Sequence, residues 1–458
     1  MKTISTGLAW FFILYFVLES LGHLALNFLA IPALRRKIAL RPVDDVPAVY
    51  SGLEPPVSLL VPAHDEEKAI VASVGALLQL EYPEFEVVVV NDGSTDGTLA
   101  VLQEAFELEP FPEALWRRLP TREVRTVFQS RKHPNLRVVD KEHGGRADSL
   151  NVGINASRYP LFCAMDVDSI LQRDSLRRVV EPFLDDPHTI ASGGTVRIAN
   201  GCTVTDGHLA AVALPQSRLA LLQIVEYLRA LLFVRLGWAA LNAVLVIPSA
   251  FGVFRKDAVV EVGGYRADTI GEDMELVVRL HRVLRARGTR YSVHFVPDPI
   301  CWTQAPESSR ALMVQRVRWQ RGLAQSLHGN RAIFTMKGGG AERWLAVPFF
   351  LLFECYGPLF EVAGYVLMTA MWLLGLIPGA TFAAFLALVF SLGFLLSVSA
   401  LYLEEMSFRL YPRASQMALL VLVALVENLG YRQLMAVFRL GGLARWVRDI
   451  RIRFHPRA

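Results

Sequence analysis

Cysteine is scarce in this chain of 458 residues; Cys163, Cys202, Cys301 and Cys355 are the full set. They stand far apart and form no CxxC pair. That argues against a zinc site or a disulfide framework and fits a reducing compartment. Excess charge is scarce too. A net charge of +4 is too small for nucleic-acid binding across the surface, so no nucleic-acid partner is expected. No internal repeat or low-complexity tract stands out. Ahead of the first apolar run there is no basic cluster, only Lys2. With its length, this excludes a secretory signal core, and an uncleaved anchor is the expectation.

What the chain has in quantity is apolar sequence, 53% of its residues. Thr6 to Leu34 is interrupted only by Glu19 and His23. Trp344 to Pro378, Ala380 to Leu403 and Gln416 to Phe438 are also largely apolar. Each is long enough to cross the roughly 30 Å hydrocarbon layer. Arg35, Arg36, Lys37 and Arg41 follow the first run, which puts the long middle region in the cytoplasm by the positive-inside rule. The tail carries Arg439, Arg445, Arg448, Arg451, Arg453 and Arg457 and is expected there too. Three C-terminal crossings would leave that tail outside. One segment must therefore lie in the interface or re-enter. The Trp344 stretch, with Glu354 and Glu361, and the last, with Glu427 and Arg432, are both candidates. The expected organisation is an anchor over 1–40, a cytoplasmic domain over 50–335, transmembrane or interfacial helices over 344–440, and a basic, membrane-surface tail over 441–458.

Between Pro56 and Asn330 short β-branched runs alternate with helical patterns, as in "VSLLVPAHDEE", "FEVVVVNDGSTDGT" and "LFCAMDVDSI". Helices are expected from Glu66 to Leu80 and from Thr95. The alternation points to an α/β domain with a mostly parallel sheet, whose ligands sit beyond the C-terminal strand ends. Glu109 to Asn135, rich in proline and arginine, reads as a surface insertion.

The polar groups that follow the runs are the candidate site. Asp166 and Asp168 flank Val167 and would point the same way from an extended strand. Such a pair holds Mg²⁺ or Mn²⁺ well, although aspartate is also common in turns and caps. Asp92, in "NDGSTDG", is suited to accept hydrogen bonds from a base or ribose; turn and cap chemistry explains the same letters. "HGGRAD" offers close backbone approach and Arg146 for phosphate, or simply an exposed loop. "GED" places Glu272 and Asp273 at a helix start, where acids favour the dipole and Asp273 could also serve as a general base. In "LMVQRVRWQRG", Gln315, Arg318 and Trp319 share one helical face, while Arg316 and Gln320 point elsewhere. A sugar-diphosphate site and a lipid-facing collar both accommodate that helix, and Arg316 and Arg321 are the expected collar.

Taken in order, "VPAHDEE", "VVNDGSTDG", "GGRAD", "DVD", "GED" and "QRVRW" resemble the family 2 membrane glycosyltransferases, which include bacterial cellulose, hyaluronan and poly-N-acetylglucosamine synthases. The resemblance spans about Val57 to Gly322. It implies a GT-A-like, Rossmann-like α/β domain in the cytoplasm, flanked by transmembrane helices in the plasma or inner membrane. It implies Asp92 at the uridine of a UDP-sugar and Arg146 near the diphosphate. Asp166 and Asp168 would form the metal and nucleotide site, Asp168 closest to Mg²⁺ or Mn²⁺. Asp273, helped by Glu272, would be the base. Gln315 and Arg318 would complete the donor site, and Trp319 would meet the acceptor. Arg146 replaces the family's usual lysine, and Gly271 a frequent threonine. The implied partners are a UDP-sugar, a polysaccharide or lipid acceptor, membrane lipid and accessory export proteins. The implied reaction is inverting transfer onto a β-linked polysaccharide. Two rivals are single transfer to a lipid or polyprenyl carrier, and a transporter or scaffold with an inert α/β domain.

Overall fold

The computed structural model describes residues 2–44, 52–112, 117–248, 250–335 and 338–454. Twelve strands are present among them: β1 (Val57–Ala63), β2 (Phe85–Asp92), β3 (Leu108–Pro110), β4 (Val124–Ser130), β5 (Leu136–Lys141), β6 (Leu161–Met165), β7 (Ile170–Leu171), β8 (Thr189–Ile198), β9 (Thr203–Thr205), β10 (His208–Ala211), β11 (Phe251–Arg255) and β12 (Ser292–Thr303). Ten of them form one sheet in the order β3-β4-β5-β2-β1-β6-β11-β8-β12-β7, and β9 and β10 form a separate hairpin.

The middle of the sheet is as expected. β5, β2, β1 and β6 are parallel neighbours. Val87 to Val90 and Leu59 to Val61 are fully buried, because helices cover both faces and β-branched side chains pack well there. Burial stabilises by roughly 1.5–3 kcal/mol for each such large apolar side chain.

The flanks correct the expectation of a mostly parallel sheet. β11 runs antiparallel between β6 and β8, and β4 runs antiparallel to β5. The stretch from Glu109 to Asn135 is not only a surface insertion. It supplies β4, which buries Val127 and Phe128, and pairs with β3 at the sheet edge. The prolines and arginines around "VRTVFQS" masked this short strand. The first helix after β1 covers only Ile70–Leu77. The acids before it are used in a turn, where Asp65 adopts φ +55° and its Oδ1 accepts from the Thr95 amide at 2.7 Å.

Strand order reverses at β1, with β2 on one side and β6 on the other. The C-terminal ends of these strands make the crevice that α/β sheets use for ligands.

Among the described residues, three helices are long and apolar enough to cross a membrane: Thr3–Arg35, Gly379–Ser407 and Ala414–Ile450. The remaining apolar stretch, Glu342–Cys355 with Gly357–Leu373, is bent by 45°. Side chains from neighbouring helices satisfy the break. Gln320 donates to the carbonyls of Glu354 (2.9 Å) and Cys355 (2.7 Å), and Arg439 donates to the Glu354 carbonyl at 2.5 Å. Interrupted helices at membrane depth need such internal donors and acceptors. The basic tail is not a separate segment, since the last helix runs unbroken from Arg432 to Phe454. The side chains of Arg36, Lys37, Arg41, Arg451 and Arg453, and the whole of Arg457, lie outside the described residues.

Candidate active site

Four loops reach the crevice, and ion pairs lock them together. The first anchor is Asp92 at the end of β2. It is 3% exposed and its carboxylate faces inward. Oδ1 accepts from Lys141 and from the Gly144 amide (2.9 Å), and Oδ2 accepts from the Gly145 amide (2.8 Å). Asp92 is thus placed to shape the Gly144–Arg146 turn rather than as an open nucleotide contact. Burial opposes its charge, but Lys141 and the Gly144 amide outweigh this and hold its carboxyl below the usual range. Gly93 permits the approach: a Cβ there would lie 2.8 Å from the His143 nitrogen, and its φ is +62°.

Lys141 was not among the residues expected from sequence. It is fully buried between Asp92 and Asp148, with Asp148 Oδ2 at 2.8 Å. The sequence signal was weak: lysine is rarely fully buried, and only its place at the end of the apolar run "LRVVDK" pointed inward. Asp96 takes its ordinary role, accepting from the Thr98 amide at 2.9 Å at a helix start.

The turn shaped by Asp92 delivers Arg146, which joins two motifs. Its Nε and Nη2 reach Asp166 Oδ1 at 2.9 and 2.8 Å, and its Nη1 reaches Glu272 Oε1 at 3.1 Å. "GGRAD", "DVD" and "GED" therefore meet at one guanidinium, although Arg146 and Glu272 are 126 positions apart. Asp168 is exposed beside them. Loss of hydration and then the Asp166 charge push its carboxyl upward. Two hard oxygen donors of this kind fit a divalent cation of the Mg²⁺ or Mn²⁺ class.

Glu272 and Asp273 open the helix Glu272–Ala286, and Asp273 Oδ1 accepts its neighbour's amide at 2.8 Å. Burial pushes both carboxyls up, and Arg146 pulls each back. Raised carboxylates in a crevice are suited to proton transfer.

The helix Ser309–Gly329, which carries "QRVRW", packs against the loop before this pair. Gly271 and Gly322 meet so closely that a Cβ on Gly271 would lie 2.9 Å from the Gly322 backbone. Gln325 Oε1 accepts from the Ile270 amide (2.9 Å), and Ser326 donates to the Gly271 carbonyl (3.0 Å). Gln315, Arg318, Trp319 and Gly322 follow one stripe of the helix at three- and four-residue steps, so the stripe that touches the loop before Glu272 continues into the "QRVRW" face. A cavity of about 480 Å³ is lined by Ser308, Arg310, Ala311, Val314, Gln315 and Arg318. Another of about 500 Å³ lies at the β4 edge near Phe111 and Arg125, and no acid lines it among the described residues.

Arg316 is not a lipid-facing collar. It is 3% exposed, pairs with Glu226 at 2.8 Å and stacks 4.5 Å over the Trp319 ring. Glu226 also accepts from the Tyr431 hydroxyl at 2.6 Å. A buried guanidinium needs such partners, and these came from segments far away in the chain. Arg321 is likewise paired, with Asp449 at 2.5 Å. Trp319 keeps 41% of its surface exposed, and Arg318 is exposed.

The Gly271 contact gives a sharp expectation. Gly271→Thr should push the two helices apart and cost about 1–3 kcal/mol by overpacking. A lowered thermal midpoint with reduced turnover is the expected result. A variant as stable and active as the parent would show the approach is not needed.

The sequence profile described as "Glycosyl transferase family 2" matches residues 58–258, and that described as "Glycosyl transferase family group 2" matches residues 161–426. The chain is 26% identical over 267 residues to the poly-beta-1,6-N-acetyl-D-glucosamine synthase of Staphylococcus epidermidis, which is 58% of this chain and 54% of that protein. The synthase of the same name from Staphylococcus aureus strain COL is 28% identical over the same shares. The chain thus spans about half the length of these curated relatives. A solved mannosyltransferase, PcManGT from Pyrobaculum calidifontis in complex with GDP-Man and Mn²⁺, matches with a TM-score of 0.50 and 17% identity, over 92% of this chain and 99% of that one. That likeness concerns the fold, a GT-A-like mixed α/β sheet. With more than half of its length inside the second profile, the chain belongs to the family 2 glycosyltransferases.

Proposed function

We propose that this protein is an inverting membrane glycosyltransferase that moves a sugar from a UDP-sugar onto a growing β-linked polysaccharide. The observation that carries the reading is Arg146, which ties Asp166 of "DVD" to Glu272 of "GED" beside the "QRVRW" helix. Acids that serve a turn or a cap need no such junction.

In the proposed reaction, an acceptor hydroxyl attacks the anomeric carbon. The bond from that carbon to the diphosphate oxygen breaks, and UDP leaves with the bonding electrons. The hydroxyl proton passes to Asp273. One displacement inverts the anomeric centre. Arg318 and Arg146 stabilise the departing diphosphate, where charge develops. Asp166 and Asp168 would hold Mg²⁺ or Mn²⁺, which supplies further charge neutralisation on that leaving group. Trp319 offers an exposed ring to an acceptor sugar. Asp92 and Lys141 act from behind by fixing the turn that carries Arg146.

The bent stretch supports a topology as well. If Glu342–Leu373 re-enters rather than crosses, three crossings remain. The catalytic domain and the Arg-rich end of the last helix then share the cytoplasmic side, as the positive-inside rule asks.

The test is turnover by the full chain in membranes or detergent. UDP-N-acetylglucosamine is the first donor to try, because relatives are named for that sugar. UDP-glucose, UDP-glucuronate and GDP-mannose form the panel. The expected result is UDP release that needs Mg²⁺ or Mn²⁺ and stops with EDTA, with a product ladder by mass spectrometry. Turnover of GDP-mannose alone would overturn the donor assignment. A single added sugar would overturn polymer formation.

A further inference from the structure

Arg316 lies on the helix of the proposed acceptor site but outside the stripe that Gln315, Arg318 and Trp319 share. Its guanidinium nevertheless touches two of the three. Nη1 donates to Gln315 Oε1 at 3.2 Å, and the guanidinium carbon lies 4.5 Å from the centre of the Trp319 ring. Adjacent helix positions do not face each other by themselves. The contact with Gln315 therefore depends on what holds the guanidinium. That holder is Glu226, whose Oε2 accepts from Nη2 at 2.8 Å. The planar fork of arginine lets one side chain meet all three groups at once.

The same contact fixes the Gln315 amide. A guanidinium only donates, so the Gln315 atom that faces it is the carbonyl oxygen. The amide nitrogen is left to donate elsewhere and has no hydrogen-bond partner among the described residues. Gln315 lines the cavity of about 480 Å³ together with Arg318, and Trp319 keeps an exposed ring one turn away. A donor for hydroxyl oxygens beside an aromatic ring suits a sugar, which offers both oxygens and an apolar C–H face.

The anchor reaches into the membrane helices. Glu226 Oε2 also accepts from the Tyr431 hydroxyl at 2.6 Å. Tyr431 ends the break Glu427–Tyr431 in the last apolar span, where Gly430 takes φ +143°. Glu427, at the other end of the break, accepts from Arg229 at 2.9 Å and from Ser397 at 2.8 Å. The break is thus tied twice to the segment that carries Glu226 and Arg229. Tyr431 also packs with Leu312, one turn before Arg316. A buried ion pair adds little stability by itself, and this one sets two groups of a site.

We propose that Arg316 is a positioning residue for the acceptor: Glu226 and, behind it, Tyr431 hold its guanidinium where it turns the Gln315 amide and the Trp319 ring toward a sugar of the growing chain. This rests on the acceptor reading of Trp319 above. It makes the broken membrane helix part of the support of the acceptor site.

The test uses the full chain in detergent, with UDP-N-acetylglucosamine as donor. The acceptor probes are β-1,6- and β-1,4-linked N-acetylglucosamine pentasaccharides. Arg316→Gln should raise the acceptor KM about 10-fold. Tyr431→Phe, which removes only the hydroxyl, should raise it about 3-fold. Donor KM, and UDP affinity by calorimetry, should match the parent in both. Arg316→Lys keeps the charge without the fork and should not restore the parent value. On a Trp319→Ala background, Arg316→Gln should add less than it costs the parent, because it acts in part through that ring. Donor and acceptor KM rising together would make Arg316 structural and overturn the proposal. So would an unchanged acceptor KM in Arg316→Gln, or full additivity with Trp319→Ala. Should the Arg316 variants fail to fold, Tyr431→Phe carries the test, and an unchanged acceptor KM there overturns the proposal. Probe binding by calorimetry without donor reads the same split in a protein that turns over no sugar. Failure of the acceptor reading shows separately, as a Trp319→Ala variant with the parent's acceptor KM. A Trp319 effect without an Arg316 effect strikes the positioning role alone.

Discussion

Asp273→Asn should abolish sugar transfer while leaving UDP binding intact. The amide is the same size as the acid, so the helix Glu272–Ala286 and the Gly271–Gly322 contact survive. Only the proton acceptor is removed. General-base catalysis is worth about 10²–10⁴-fold, and the loss in kcat should fall in that range. Calorimetry with UDP separates this from misfolding. A variant that binds UDP and keeps the parent kcat would remove Asp273 from the mechanism. The pH profile gives an independent check. Burial raises the Asp273 carboxyl, and the base works only when ionised. Activity should therefore rise with pH through an apparent value above the ordinary aspartate value of about 3.9. Glu272 is raised as well, by burial and by Asp273. The profile thus reports the pair, not one acid.

Lys141→Met should cost the fold rather than the chemistry. The ammonium is fully buried between Asp92 and Asp148. Removing it leaves two carboxylates facing each other without a cation, and broken buried pairs typically cost about 3–5 kcal/mol. The Gly144–Arg146 turn, held by Asp92, should loosen with it. A lower unfolding midpoint in detergent and faster cleavage by trypsin are expected. An unchanged midpoint would show that the cluster is dispensable. The pH dependence has a definite sign. Asp92 is depressed in the folded state, so its contribution is present above the unfolded value of about 3.9. The parent loses it only as pH falls below that, through the lower folded value. Lys141→Met should lack it already at neutral pH.

The parallel centre of the sheet was legible in the sequence because its cause is local. β-branched runs such as "FEVVVV" are buried on both faces and end in polar residues at the crevice. The order of the acidic motifs was legible for the same reason, since each follows a strand or opens a helix. The antiparallel flank was not. Nothing in "FGVFR" states which way it runs between β6 and β8, and β4 lay among prolines and arginines that read as surface.

The helix around Trp319 marks the boundary most clearly. Its periodicity alone put Gln315, Arg318 and Trp319 on one stripe. Periodicity could not tell that Arg316 is a buried partner of Glu226, 90 positions earlier, and the platform under Trp319. Nor could it tell that Gln320 would cap the broken helix at Glu354 and Cys355. What the sequence determined by itself was the parallel centre of the sheet, the apolar segments and the family's ordered motifs, all encoded in near-neighbour spacing. What only the tertiary structure decided was which charges meet: Lys141 with Asp92 and Asp148, Arg146 with Asp166 and Glu272, Arg316 with Glu226. A buried charge is tolerated only where a partner reaches it, and that partner's identity is fixed by packing, not by position along the chain.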